Sequence, residues 1–118
     1  MPSPSEGSPR RDWRLYAQDM QRFAHRAVGY CAGLDRAQFE VNHLMQDAVL
    51  RNLELIGEAA TRIPDDVRLA HAEIPWRQII AMRNQLIHAY LGVDLDVVWD
   101  VVQVELPLLL QQLKAVIG

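Results

Sequence analysis

The sequence predicts an all-α protein, an antiparallel up-and-down bundle of four to five helices. Three observations carry that prediction. Apolar residues recur at the three-to-four spacing of helix faces through most of the 118 residues. Glycine and proline punctuate the chain where those runs stop, and no stretch shows the strict alternation of a strand. Short connections between long amphipathic segments leave an up-and-down bundle as the simplest packing.

The first helix is expected over residues 12–31. It follows a proline-containing tail, carries Leu15, Phe23, Ala27 and Tyr30 as apolar positions, and ends ahead of Gly33. Asp35 is a candidate cap for a second helical segment that reaches Ile63 and is stopped by Pro64, with Phe39 in a short separate turn before the long helix proper. Its stripe runs through Val41, Met45, Ala48, Leu55, Ile56, Ala59 and Ile63. Residues 65–75 form a connector with room for one helical turn. A third helix opens at Trp76 and runs to about Tyr90, where Gly92 breaks it. The last spans about residues 95–116, capped by Asp94 or Asp96, packed through Val98, Val101, Val102, Leu106, Leu109, Leu110 and Leu113, and bent by Pro107.

Residues 1–11, MPSPSEGSPRR, hold three prolines, three serines and a glycine with almost nothing apolar to bury. A disordered N-terminal tail is therefore expected there, with one helical domain over residues 12–118. Half of the residues are hydrophobic and 23% are charged, the balance of a folded globule. Cys31 is the only cysteine, which excludes an intrachain disulfide and cysteine-rich metal sites, and reads as a small buried apolar side chain. His25, His43 and His71 are scattered without metal-ligand spacing and are expected at the surface. No apolar run has the length of a bilayer span, so a cytoplasmic protein with no membrane association is the expectation. The net charge of −3 argues against a protein that coats nucleic acid through a broad basic surface. It leaves room for a nuclease, which needs positive charge only at the scissile phosphate.

The third helix carries the chemistry. At about 100° per residue, Ile79, Ile80, Met82, Leu86, Ile87 and Tyr90 fall in one broad arc with Arg83 near its middle. A guanidinium on a face meant for the core must find a carboxylate, a polar network or a cleft that admits an anion. Asn52 repeats the anomaly on the second long helix, in line with Met45, Ala48, Ile56 and Ala59. If the two faces meet, Asn52 and Arg83 share a polar pocket with Glu54 or Glu58 beside it. Taken alone, Asn52 reads as a structural hydrogen bond. Asn84 and His88 share a helix face, as do Arg83 and Tyr90. Arg83 and His88, however, diverge by roughly 140° on a regular helix. They converge on one phosphate if the helix end distorts at His88, if the phosphate lies across the rim, or if two subunits bring their helices together.

The run MRNQLIHAY, residues 82–90, resembles the signature of the HEPN superfamily: an arginine, four intervening residues, a histidine, one residue and a tyrosine, matched by Arg83, His88 and Tyr90. The HepT-like branch is similar over about residues 12–113, through Asp47-Ala48, Arg51-Asn52-Leu53-Glu54, Ile56-Gly57-Glu58-Ala59, Ile63-Pro64, Ile74-Pro75-Trp76, Val98-Trp99 and Leu106-Pro107. The resemblance implies an antiparallel helical bundle, a homodimer that sets two motifs face to face, and metal-independent RNA endonuclease activity as the toxin of a toxin–antitoxin pair. It implies Arg83 and His88 as catalytic residues, with no cofactor and no metal; side-chain chemistry and helix position add Asn84, which can orient the imidazole or the phosphate, Tyr90, which can hydrogen-bond to substrate or to Arg83, and Asn52 as substrate-binding or supporting residues. It also implies a minimal nucleotidyltransferase antitoxin as partner, which transfers AMP to the motif tyrosine, here Tyr90.

Residue chemistry agrees with an RNA substrate. A neutral imidazole at His88 can take the proton of a ribose 2′-hydroxyl, while Arg83 stabilises charge on the phosphoryl oxygens. Two rival readings use the same residues. One is a non-catalytic RNA- or nucleotide-binding module that engages a nucleotidyltransferase. The other is an interaction protein in which Arg83 and Asn52 only fix helix register, so that replacing Arg83 lowers stability and replacing His88 changes nothing.

Overall fold

The computed structural model describes residues 12–88 and 93–118, the side chains of Ile87 and His88 aside. The expected tail, Tyr90 and Gly92 lie outside the described residues. Among the described residues every regular element is helical: α1 (Trp13–Cys31), α2 (Arg36–Val41), α3 (His43–Thr61), α4 (Asp65–Ala70), α5 (Trp76–His88), α6 (Leu95–Asp100), a π-turn segment (Val101–Glu105) and α7 (Leu106–Ile117). The last three run on as one limb, so the long members are four, arranged as an all-α bundle.

Helix α1 starts where the Asp12 side chain accepts from the Arg14 backbone N–H. Its buried residues, Ala17, Met20, Ala24, Ala27 and Cys31, alternate steps of three and four. That narrow, small-residue seam lets α1 lie close to α3. Leu15 and Tyr30, expected on this stripe, are turned outward and more than a third exposed. They sit on the flanks of the seam, where only a short side chain is covered. Burial pushes the Cys31 thiol pKa up, in keeping with a packing role.

The second segment divides as the Phe39 turn suggested. Asp35 and Gln38 form a reciprocal capping box on α2, which places Phe39 in the core against Trp99, ring centroids 5.3 Å apart. Asn42 then interrupts the helix and caps α3 by accepting from the Met45 N–H at 3.0 Å. Because the chain changes direction at that cap, Val41 falls off the expected stripe and is 79% exposed. In α3, Val49, Asn52, Leu53, Ile56, Gly57, Ala59 and Ala60 are buried, a broad arc that serves α1 on one flank and α5 on the other.

The connector after Pro64 forms more helix than one turn, the six residues of α4. Arg68 explains its position. Its guanidinium donates to the carbonyls of Ala60, Thr61 and Ile63 at and just beyond the end of α3, where few backbone N–H groups remain to serve them. Trp76 is likewise fixed, its indole Nε1–H donating to the His71 carbonyl at 3.0 Å.

Pro107 does not break the last helix. Its ring would clash with the carbonyl four residues back and it has no N–H to give. The chain responds by widening over Val101–Glu105, where the Leu106 N–H reaches the Val101 carbonyl five residues back. Arg36 fastens this limb to α2 through Asp96, Nη2 to Oδ1 2.6 Å. The hydrogen bond and opposite charge of Asp96 raise the Arg36 pKa above its ordinary value.

Packing is uneven. Helix α3 is flanked by α1 and α5, and α7 closes on α1, whereas α5 has its main support in α3. Between α5 and the last limb lies an apolar trench of about 420 Å³, lined by Leu53, Ile56, Ile79, Met82, Leu108 and Leu109 among others. The motif helix therefore stands as an outer member, braced along one side.

Candidate functional site

Arg83 is carried on the braced side of α5. Its stem lies over α3 at Gly57, so close that a side-chain carbon added to Gly57 would run into the Arg83 Cβ and come within 2.8 Å of its Cγ. The residue is half-buried, and its Nε is sealed from solvent with no hydrogen-bond acceptor. Beyond Nε the guanidinium turns outward, and Nη1 donates to Oδ1 of the exposed Asn84 at 2.9 Å.

No carboxylate lies within ion-pair distance of Arg83 among the described residues. Glu54, a partner the sequence offered, is 3.2 Å from Arg51 instead. Glu58 is exposed and makes no ion pair with Arg83. The remaining solutions for a guanidinium in this position are a polar network or an anion from outside. The network here is a single neutral amide, which leaves the charge uncompensated.

Asn52 and Arg83 are both where the helix periodicity put them, on buried faces, but no hydrogen bond joins them. Asn52 is 6% exposed, and its Nδ2 donates back to the Ala48 carbonyl at 2.8 Å while Oδ1 has no partner. The reason is angular. Arg83 sits over Gly57, and five residues along a helix separate Asn52 from Gly57 by roughly 140°. The shared pocket expected from the sequence is thus not formed by a direct contact.

The backbone of α5 is helical through His88, and Asn84 stands between Arg83 and the His88 position around the helix. Around the axis it lies about 100° from Arg83 and about 40° from the His88 position, and Asn84 and His88 are one turn apart on the same face. By leaning onto Asn84, the Arg83 guanidinium moves around the helix toward the histidine's side. The sequence placed Asn84 on that face but gave no sign that it would be the acceptor for Arg83, since neighbours one apart on a helix usually do not meet. Arginine's length is what permits it. Tyr90, the last residue of the motif, lies outside the described residues.

Of the other histidines, His25 and His43 are exposed as expected, whereas His71 is half-buried beside Trp13 and Glu73. It adjoins Trp76 at the start of α5, and the motif lies toward the opposite end, ~18 Å along the axis by helical rise. Among the described residues no group of three or more His, Cys, Asp or Glu side chains is placed to hold a metal ion.

A family model described as Ribonuclease HepT-like matches residues 17–116, nearly the whole of the described bundle. The chain belongs to the HepT-like ribonuclease family. This HepT-like chain is 33% identical over 109 residues to a Methanocaldococcus jannaschii protein named as a candidate RNase, covering 92% of the chain and 94% of that relative. It is 35% identical over 85 residues, 72% of the chain and 76% of the relative, to another so named from Caldanaerobacter subterraneus subsp. tengcongensis. Over a shorter stretch of 62 residues it is 53% identical to a Thermococcus cleftensis protein named "Probable ribonuclease HepT", covering 52% of the chain and 56% of the relative. No solved structure matches the chain. The HepT-like assignment bears out the family resemblance read from the sequence, and it agrees with the all-α bundle. Among the described residues no helix is long and apolar enough to cross a membrane.

Proposed function

We propose that this chain is an RNA endonuclease, the toxin of a toxin–antitoxin pair, and that Arg83 and His88 carry the reaction. The single observation behind this reading is the state of Arg83: a half-buried guanidinium held by helix packing, one nitrogen sealed, the outer end supported only by Asn84, with no carboxylate to neutralise it. A fixed cation with its own charge unspent is suited to a phosphodiester.

In the proposed reaction the His88 imidazole accepts the proton of the ribose 2′-hydroxyl as that oxygen attacks the adjacent phosphorus. The phosphorus–O5′ bond breaks, leaving a 2′,3′-cyclic phosphate on one fragment and, once the leaving oxygen is protonated, a 5′-hydroxyl on the other. Arg83 stabilises the negative charge that grows on the nonbridging oxygens. Asn84 holds the guanidinium in place. The scheme requires neither a metal nor a cofactor.

The leaving oxygen needs an acid, and His71, the histidine that adjoins α5, lies at the opposite end of that helix from the motif. A homodimer that sets two α5 helices face to face supplies the second His88 for that role. Tyr90 is proposed to contact substrate and to be the acceptor of AMP from a minimal nucleotidyltransferase antitoxin. An adenylate two residues beyond His88 adds negative charge and bulk where an RNA phosphate must approach Arg83.

Purified chain, free of any antitoxin, is expected to cut RNA in the presence of chelator, and His88→Ala is expected to abolish cutting. Equal cutting by the two proteins would remove the catalytic assignment, and binding of RNA without scission would favour the non-catalytic module.

A further inference from the structure

Glycine in the middle of a helix is ordinarily a liability, because it loses more freedom on folding than alanine and packs nothing. Gly57 sits inside α3, four residues before its last, among Ile56, Glu58, Ala59 and Ala60, all better helix formers apart from their packing roles. Its neighbours explain it. A Cβ at Gly57 would overlap the Arg83 Cβ, approach the Arg83 Cγ to 2.8 Å and stand 3.2 Å from the Ile79 carbonyl oxygen. The first of these atoms is fixed by the α5 backbone and the last belongs to it, so neither can swing aside. Any side chain at position 57 therefore moves α5 as a body away from α3. The other described glycines, Gly29, Gly33 and Gly118, have nothing within 4 Å of such an added carbon, so close approach is peculiar to this one position among them.

We infer that Gly57 is a positioning residue for Arg83: the missing side chain lets α5 settle until the arginine stem rests on the α3 backbone, which seals Nε and fixes the height of the guanidinium. This rests on the nuclease reading for its consequence, though not for its geometry. With α5 braced chiefly by α3 and open to the trench on another flank, the Gly57 contact is the point that sets the helix separation at the motif. A displacement of about 1 Å at a charge-stabilising group lowers turnover by roughly a hundredfold.

The test is Gly57→Ala, with Leu113→Ala as a control that weakens the core on the α1–α7 side. Turnover of RNA is measured as kcat and KM per folded molecule, and the Arg83 Nε–H resonance, identified by its loss in Arg83→Met, is followed by nitrogen-15 spectroscopy. Gly57→Ala is expected to lower kcat roughly a hundredfold with KM little moved, to shift the Nε–H signal and to speed its exchange with water. Leu113→Ala is expected to change neither. An unchanged Nε–H signal in Gly57→Ala overturns the inference, as does a fall in rate matching that of Leu113→Ala. If the unsubstituted protein fails to cut RNA, the nuclease reading is lost while the resonance still decides whether Gly57 sets Arg83. Should Gly57→Ala not fold, Gly57→Ala with Arg83→Gly, which removes the colliding carbon, is expected to fold; a double variant no better than the single one overturns the inference.

Discussion

The two flanks of α3 are built to different standards. Toward α1 and α7 the seam is Ala17, Met20, Ala24, Ala27, Cys31 and Leu113, each 0–1% exposed and none with a polar side chain to satisfy beyond the thiol. Toward α5 the contact is a glycine under an arginine, beside an open trench. The buried side-chain nitrogen and oxygen atoms left without partners among the described residues are Arg83 Nε and Asn52 Oδ1, one on α5 and one on α3. A sealed apolar seam holds a fold together, and an orphaned buried donor works against it. The contrast puts the stabilising apolar packing on the α1–α7 side and leaves the α5 side as the one to which the proposed chemistry belongs.

The sharpest way to break that division is Arg83→Met, which keeps an unbranched stem over Gly57 and removes the charged head. RNA cutting is expected to fall by about two to three orders of magnitude, the usual effect of deleting one group that stabilises transition-state charge. Thermal stability is expected to hold or rise, because an unpaired, partly desolvated cation is gone and no ion pair is lost with it. A large drop in melting temperature with cutting intact would instead make Arg83 a register-fixing residue. The complementary change is Leu113→Ala. Deleting a fully buried leucine side chain from a close-packed seam is expected to lower stability by about 2–5 kcal/mol, read by denaturant melting, while the folded fraction cuts RNA at the original rate. Loss of turnover in the folded fraction would show that the two flanks are coupled.

Much of this was legible in the sequence because it follows from periodicity and punctuation. The long helices, the separate turn at Phe39, the stop at Pro64 and the presence of Arg83 and Asn52 on apolar faces all come from spacing alone. What escaped depends on interactions between elements or on reach. Leu15, Tyr30 and Val41 have the right character for a core, yet small residues define the α1 seam and the Asn42 cap turns Val41 away. Pro107 signalled a bend, but whether a helix breaks or widens depends on how tightly the residues before it are packed, and Val101 and Val102 are buried. The Gly57 contact was present only as a letter within a family-like run. A single glycine says that something comes close and not what. Asn84 as the support for Arg83 was hidden because helix geometry predicts no meeting between adjacent residues, and only a side chain as long as arginine evades that rule.

The smallest effect, and the one that most refines the comparison, is expected at Asn52. Its Oδ1 is buried and unpartnered, its Nδ2 bonds only to a carbonyl of its own helix, and Arg83 lies over a residue roughly 140° away around α3. Asn52→Leu, similar in volume, removes the orphaned acceptor together with one weak local bond. The net change in stability is expected to be neutral to stabilising by about 1 kcal/mol, and RNA cutting is expected to persist. That outcome would leave Arg83, and not Asn52, as the polar group of the α3–α5 contact that serves the proposed reaction. If cutting were lost with the melting temperature maintained, Asn52 Oδ1 would belong to the site despite lacking a direct bond to Arg83. The boundary between structural and chemical halves would then pass through α3 itself, and not along its surface against α5.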